Sequence, residues 1–271
     1  MKRRERATVT TVGLLAAAYN VAVNRVLPQA SHVPANLAVA ITLTTLGRKA
    51  AHASWSDLGL GRAQVRRGLD VGIRSSLVSA ALVGAALVVP KTRPFFADER
   101  VLKPSSAAAA YEVGVRIPFA TALPEEIVFR GVLLGVLSRS HSAATSIAWT
   151  STLFGLWHLL PTLDMMRTNP AGDLLPKGPV GHTVALGGVT LATGAAGVVF
   201  AWMRNRSGSV LAPFMAHTTL NAAAYLGGRA FAAPGRVGAS TSQDTLAVRH
   251  RSAPEWSWAD AKVWAINEAA S

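Results

Sequence analysis

Two adjacent acids, an arginine, two histidines and an asparagine stand in stretches of this chain that are otherwise apolar. The first cluster is Pro124-Glu125-Glu126-Ile127-Val128-Phe129-Arg130. On a helix, Glu126 and Arg130 lie four residues apart and share a face, where carboxylate and guanidinium can pair. Glu125 is turned about 100° from Glu126 and has no partner on its own helix. One ion pair would serve to brace a bundle; a second, unpaired carboxylate fits that reading poorly. Pro124 has no amide hydrogen and loosens the helix beside the acids.

The second cluster is Phe154-Gly155-Leu156-Trp157-His158, followed by Pro161. Phe154 and His158 share a face, and Gly155 permits close approach of another helix. The third is His217-Thr218-Thr219-Leu220-Asn221, with His217 and Asn221 again four apart. Each cluster alone has a plainer explanation: a lone histidine near a helix end is usually structural, and a polar pair inside a membrane is often interhelical glue. Together they are harder to explain away. A charge at bilayer depth costs several kcal/mol unless it is paired or faces water. Three segments here spend polar groups on one face each, while most neighbouring positions are Ala, Leu, Val or Gly. The Ser and Thr residues nearby have no His and acid relay, which disfavours serine catalysis.

These residues need helices in a membrane to position them. The chain has 271 residues, half of them apolar and only 15% charged, where a soluble domain carries about 25% charged residues. Its apolar residues fall in blocks of roughly 17–25, the length a helix needs to cross a hydrocarbon core. The expected fold class is all-α, a polytopic transmembrane bundle of about seven or eight spans. Seven are placed at about 7–27, 35–53, 69–89, 113–138, 143–160, 180–203 and 209–228, with a further interfacial turn at 105–112. The first is read as a retained span because it is too long for a signal-peptide core. The net charge of +13 sits between the blocks and is not gathered on one face, so it argues for topology and anionic lipid, not nucleic acid. Lys2, Arg3, Arg4 and Arg6, then Arg48, Lys49, Arg62, Arg66 and Arg67, then Arg204 and Arg206 fall on one side if the N-terminus is cytoplasmic. Arg74 and Arg116 are read as snorkelling from span ends, and His32, His52, His141, His182 and His250 are assigned no chemistry. The absence of cysteine excludes a thiol nucleophile and a Cys-based zinc site.

Glu125-Glu126-x-x-x-Arg130, Phe154-x-x-x-His158 and His217-x-x-x-Asn221 resemble, in order and spacing, the three signature motifs of the CAAX protease and bacteriocin-processing (Abi) family, relatives of the Ras-converting CAAX endopeptidase. The resemblance covers about Leu123 to Gly227, with Phe129-Arg130-Gly131 and Leu211-Ala212-Pro213 also typical and Asp57-Leu58-Gly59-Leu60 a weaker feature. It implies an intramembrane endopeptidase in the cell membrane. Glu125 would activate water and His158 would hold that water and shuttle its proton. His217 and Asn221 would stabilise the oxyanion. Glu126 and Arg130 would orient Glu125 and brace the site, and Phe154 would pack the pocket wall. The chemistry can be written with no cofactor. Alternatively Glu125, His158 and His217 could supply three zinc ligands with an open fourth position.

Three regions are expected: an N-terminal transmembrane region at 1–104, a catalytic core at 105–228, and a tail at 229–271 with a Trp-rich end (Trp256, Trp258, Trp264). The expected partners are membrane lipid and a peptide or membrane-protein substrate. Prenylated C-terminal peptides are the substrates of the eukaryotic relatives. The heavy Ala, Arg and Gly usage suggests a GC-rich bacterial genome, where peptides, bacteriocin precursors or membrane proteins are expected instead. Two other classes compete: a catalytically silent scaffold acting in immunity or partner binding, and a proton-coupled transporter. The scaffold has no need of Glu125 and His158 together, and the interrupted spans in matching halves common in transporters are not seen.

Overall fold

A computed structural model describes residues 1–232 of the protein apart from Lys177. Every regular element among them is helical, as expected. The Trp256–Trp264 segment lies outside the described residues. In chain order the helices are α1 (Arg3–Arg25), α2 (His32–Lys49), α3 (Val65–Val88) and the short α4 (Glu99–Leu102). A long rod over 106–137 follows, built from α5 (Ser106–Tyr111), a π-helical stretch Glu112–Ala122, α6 (Leu123–Glu126), a second π-helical stretch Ile127–Leu133, and α7 (Leu134–Leu137). Then come α8 (Ala143–Trp157), α9 (Leu159–Thr168), α10 (Pro179–Ser207) and α11 (Leu211–Ala232).

Local chemistry sets the ends. The hydroxyls of Ser105 and Ser142 accept from the amides of Ala108 and Thr145 and cap α5 and α8, satisfying donors that a first helical turn leaves free. Gly208, at φ +74°, turns the chain out of α10 in the left-handed conformation that glycine adopts without penalty. Pro118 and Pro124 remove two amide donors from the rod, which is π-helical before and after Pro124.

One core joins the two ends of the chain. Val12 and Leu43 from α1 and α2 pack with Val128 and Phe129 of the rod, Phe154 of α8, Phe200 of α10 and Ala216 of α11. Helix α11 lies along α3, and α10 lies along α8. The second contact depends on glycine: a Cβ at Gly155 would stand 2.6 Å from the Thr190 carbonyl oxygen, and one at Gly197 would stand 3.1 Å from the Ser151 Cα. Below the rod, Asp57-Leu58-Gly59-Leu60 clasps the α10–α11 corner. The Val210 amide donates to the Gly59 carbonyl at 3.0 Å, Arg204 donates to the Asp57 carbonyl at 2.8 Å, and Leu58 is completely buried.

The distribution of polarity is inverted relative to a water-soluble bundle. Leu14, Ile41, Leu77 and Leu191 are each at least 67% exposed, while Glu126, Arg130 and His217 are buried. Helices that face apolar side chains outward and keep their charges inside belong in lipid. Three stretches are long and apolar enough to cross a membrane, Arg3–Arg25, Arg62–Val88 and Pro179–Ser207. The expected seven or eight crossings are therefore not what length and hydropathy deliver. A helix stands at each of the seven expected positions, but α8 has 15 residues, the rod is divided, and α11 carries the polar His217, Thr218, Thr219 and Asn221.

The fifth expected span also changes shape. It does not end near Pro161 but breaks at His158 and resumes as α9 to Thr168. Pro161 sits in the first turn of α9, where no amide donor is required. His158 is thereby placed inside a rod running from 143 to 168, not at its end.

Candidate active site

The four residues expected to do chemistry, Glu125, His158, His217 and Asn221, line a single cavity of about 810 Å3. Its walls come from α1, α2, the rod, the α8–α9 break, α10 and α11. It extends past Asn24 and Leu27 to Gln29 and His32, so it lies toward the C-terminal end of α1, away from the N-terminus.

Glu125 and Glu126 face apart, as their positions on one helix require. Glu126 is fully buried, and its Oε1 is a junction: Arg130 Nη1 donates to it at 3.2 Å and His217 Nδ1 at 2.9 Å. The other guanidinium nitrogen of Arg130 donates to the Gly197 carbonyl at 3.4 Å. This ties the rod to α10 and α11. The guanidinium carbon lies 3.9 Å from the Phe154 ring centre, with Phe200 and Phe129 at 5.2 and 5.9 Å, a cation–π cage suited to a desolvated arginine. Phe154 is buried and packs against Arg130, His158 and His217.

Glu125 is oriented differently from the expectation. No hydrogen bond reaches it from Glu126 or Arg130. Its Oε1 accepts from Trp157 Nε1 at 3.1 Å, and its Oε2 is buried without a partner. His158 lies next to that tryptophan. Its Nδ1 is 2.7 Å from the Phe154 carbonyl; a carbonyl only accepts, so Nδ1 carries the proton and Nε2 is left free at the cavity. On α11, His217 donates Nδ1 to Glu126 and stacks on Phe200, with ring centres 5.1 Å apart, which leaves Nε2 free. Asn221 lies one turn further along the same face and has no hydrogen-bond partner among the described residues. The result is a carboxylate oxygen, two imidazole nitrogens and a carboxamide, all unused by the fold, around one cavity.

The stretch that holds this set, residues 108–223, matches the family model for type II CAAX prenyl endopeptidase Rce1-like proteins. Over this segment the chain is similar to the CAAX protease family. The match begins in α5 and ends two residues beyond Asn221, so it contains all seven expected site residues and omits α1 to α3. The chain has no match among curated proteins and none among solved structures.

For a CAAX protease core, a zinc ion on Glu125, His158 and His217 was one expectation. Among the described residues no three His, Cys, Asp or Glu side chains are grouped so as to hold a metal ion. Each of the three commits one atom, to Trp157, to the Phe154 carbonyl and to Glu126, and keeps the other free, which ligation would also allow.

Further contacts involve two arginines read as snorkelling and two asparagines that the sequence reading passed over. Arg116 lies ten residues inside the rod, pairs with Glu112 at 3.3 Å and lines the cavity. Arg74, by contrast, is exposed and pairs with Asp70 at 2.9 Å. Asn20 of α1 and Asn36 of α2 are both buried. Asn20 Nδ2 donates to the Trp157 carbonyl at 2.9 Å, and Asn36 Nδ2 donates to the Ala120 carbonyl at 2.9 Å. The signal for them lay in the prolines: Pro161 and Pro124 each deprive the carbonyl four residues earlier of its amide, and those carbonyls belong to Trp157 and Ala120.

Proposed function

We propose that the protein is an intramembrane endopeptidase in which Glu125 and His158 activate a water against a peptide bond. The observation that carries this reading is the buried, unpartnered Oε2 of Glu125 in the same cavity as the free ring nitrogens of His158 and His217 and the amide of Asn221. Glu126 also keeps one oxygen unpartnered, but Glu126 does not line the cavity and Glu125 does.

The steps follow from these positions. Water held between Glu125 and His158 Nε2 loses a proton to the carboxylate as its oxygen attacks the substrate carbonyl carbon. The oxyanion that forms is met by the Asn221 amide and by His217 Nε2. In that role His217 is protonated at both nitrogens, with Glu126 as its counter-ion. The carbonyl re-forms, the C–N bond breaks, and the proton taken from water passes, through Glu125 or His158, to the departing amine. Trp157 keeps the carboxylate aimed, and Phe154 and Arg130 keep the two histidines at a fixed separation. The cavity accommodates several peptide residues, and Ile117, Val128, Phe129 and Val189 give it an apolar side. A peptide or a membrane-protein segment is the substrate class.

With the N-terminus cytoplasmic, as the basic residues around α1 suggest, the cavity opens on the opposite face of the membrane. Peptide cleavage by purified protein in liposomes tests the central proposal. The unaltered chain should turn over, and Glu125→Ala and His158→Ala should not. Equal turnover by all three would end the assignment.

A further inference from the structure

Two asparagines in the N-terminal helices stand behind the two residues that would activate water. Pro124 immediately precedes Glu125. Pro161 lies three residues after His158, and the carbonyl it leaves open is that of Trp157, the residue before His158. In an α-helix, the amide of residue 124 would bond the carbonyl of residue 120, and the amide of residue 161 the carbonyl of residue 157. Proline supplies neither. An open carbonyl buried in a membrane bundle costs several kcal/mol if nothing answers it. In this chain both are answered from a different helix by the same group: Asn36 Nδ2 on the Ala120 carbonyl and Asn20 Nδ2 on the Trp157 carbonyl, each at 2.9 Å.

These bonds fix backbone, not bulk. Both asparagines are 7% exposed and border the cavity. Asn20 is itself held, since Asn24 Nδ2 donates to its side-chain oxygen at 2.7 Å and to its carbonyl at 2.8 Å. The carbonyl that Asn20 grips belongs to the residue whose indole aims Glu125, at the break that carries His158. The carbonyl that Asn36 grips is five residues before Glu125, in the π-helical stretch leading to it.

We propose that Asn20 and Asn36 are positioning residues of the site: amide clamps that hold the proline-opened backbone on which Glu125 and His158 are mounted. Through them α1 and α2, which lie outside the family match, become part of the catalytic apparatus. This rests on the peptidase reading above.

The test is steady-state cleavage of a peptide substrate in liposomes by Asn20→Ala and Asn36→Ala, with folded yield measured alongside. Misplacing a reacting group by about 1 Å can lower a rate on the order of 100-fold. A kcat loss of about 10- to 100-fold per folded molecule, with KM changed less than about threefold, is the expected result. The decisive variants restore the missing amides. Pro161→Ala in the Asn20→Ala background returns an N–H to the Trp157 carbonyl, and Pro124→Ala does the same for Ala120 in the Asn36→Ala background. Each should recover part of the lost kcat, which a merely structural loss of packing would not. Wild-type kcat in both alanine variants, a fall confined to folded yield, or failure of both amide-restoring variants to recover rate would overturn the clamps. A wild-type chain that cleaves nothing would instead bring down the peptidase reading, and this role with it.

Discussion

The indole Nε1 of Trp157 donates to Oε1 of Glu125 across 3.1 Å, joining the residue before one candidate catalytic group to the side chain of another. The bond crosses from α8 to α6 and leaves Oε2 of Glu125 with no partner among the described residues. A hydrogen bond to a charged group contributes about 1.5–3 kcal/mol. Trp157→Phe keeps the ring, which packs edge-on against Phe129 with centres 5.6 Å apart, and removes only the N–H. Its kcat should fall roughly tenfold or more with little change in folded yield. A rate equal to that of the unaltered chain would show that the carboxylate is aimed by something else.

The two neighbouring acids should fail in opposite ways. Glu125→Gln removes the proton acceptor but breaks no ion pair, so turnover should drop about 10²- to 10⁴-fold in a protein that purifies normally. Glu126→Gln leaves Arg130 buried without its counter-charge, and breaking such a pair costs about 3–5 kcal/mol. Its folded yield and thermal stability should fall together with activity. Normal stability for Glu126→Gln would contradict the bracing role drawn from the contacts of Arg130 and His217.

Activity should not depend on zinc. Metal analysis of the purified protein is expected to find less than one ion per chain, and chelation followed by dialysis should leave peptide cleavage intact. Stoichiometric zinc whose removal abolishes turnover would require Glu125, His158 and His217 to rearrange into a ligand set.

The side to which the cavity opens can be read chemically, because the chain has no cysteine of its own. Gln29 borders the cavity next to the C-terminal end of α1. Gln29→Cys in intact cells should react with a membrane-impermeant maleimide if the N-terminus is cytoplasmic. Labelling only after the cells are opened would reverse the orientation.

The loop before the rod should weaken in acid. Asp98 accepts from Arg100 Nε at 2.9 Å and Nη2 at 2.8 Å, and from the Thr168 hydroxyl at 3.1 Å. Burial pushes its carboxyl up, but the hydrogen bonds and charge of Arg100 outweigh that and hold it below the ordinary carboxylate range. A carboxyl depressed in the folded state stabilises fully above its unfolded value, near pH 4. The contribution is lost as the pH falls through the folded value. Melting temperature should therefore decline more steeply below about pH 4 in the unaltered chain than in Asp98→Asn. Parallel curves would remove Asp98 from the account.

The helices and the three motifs were legible because both signals are local. Apolar blocks placed a helix at each of the seven expected positions, and the four-residue spacings put Glu126 with Arg130 and His217 with Asn221 on shared faces. What could not be read is what each polar group bonds to across helices. The sequence places Glu126 beside Glu125, yet its bond goes to His217, 91 residues away. Trp157 looks like an ordinary interfacial tryptophan until the rod supplies its acceptor. Pro161 looks like a helix end, and only the packing of α1, with Asn20 at the right height, shows that the helix resumes.

The junction at Glu126 Oε1 has a consequence for how such a molecule could change over generations. The same oxygen secures the arginine that knits three helices and the imidazole that borders the cavity, so architecture and reactivity share an atom there. At Glu125 they do not. A descendant that abandoned hydrolysis for a purely recognitional role could exchange Glu125 freely and would still be obliged to retain Glu126, Arg130 and His217. Loss at the first position alone would thus be the mark of a retired enzyme, whereas loss at the second would mark a damaged one.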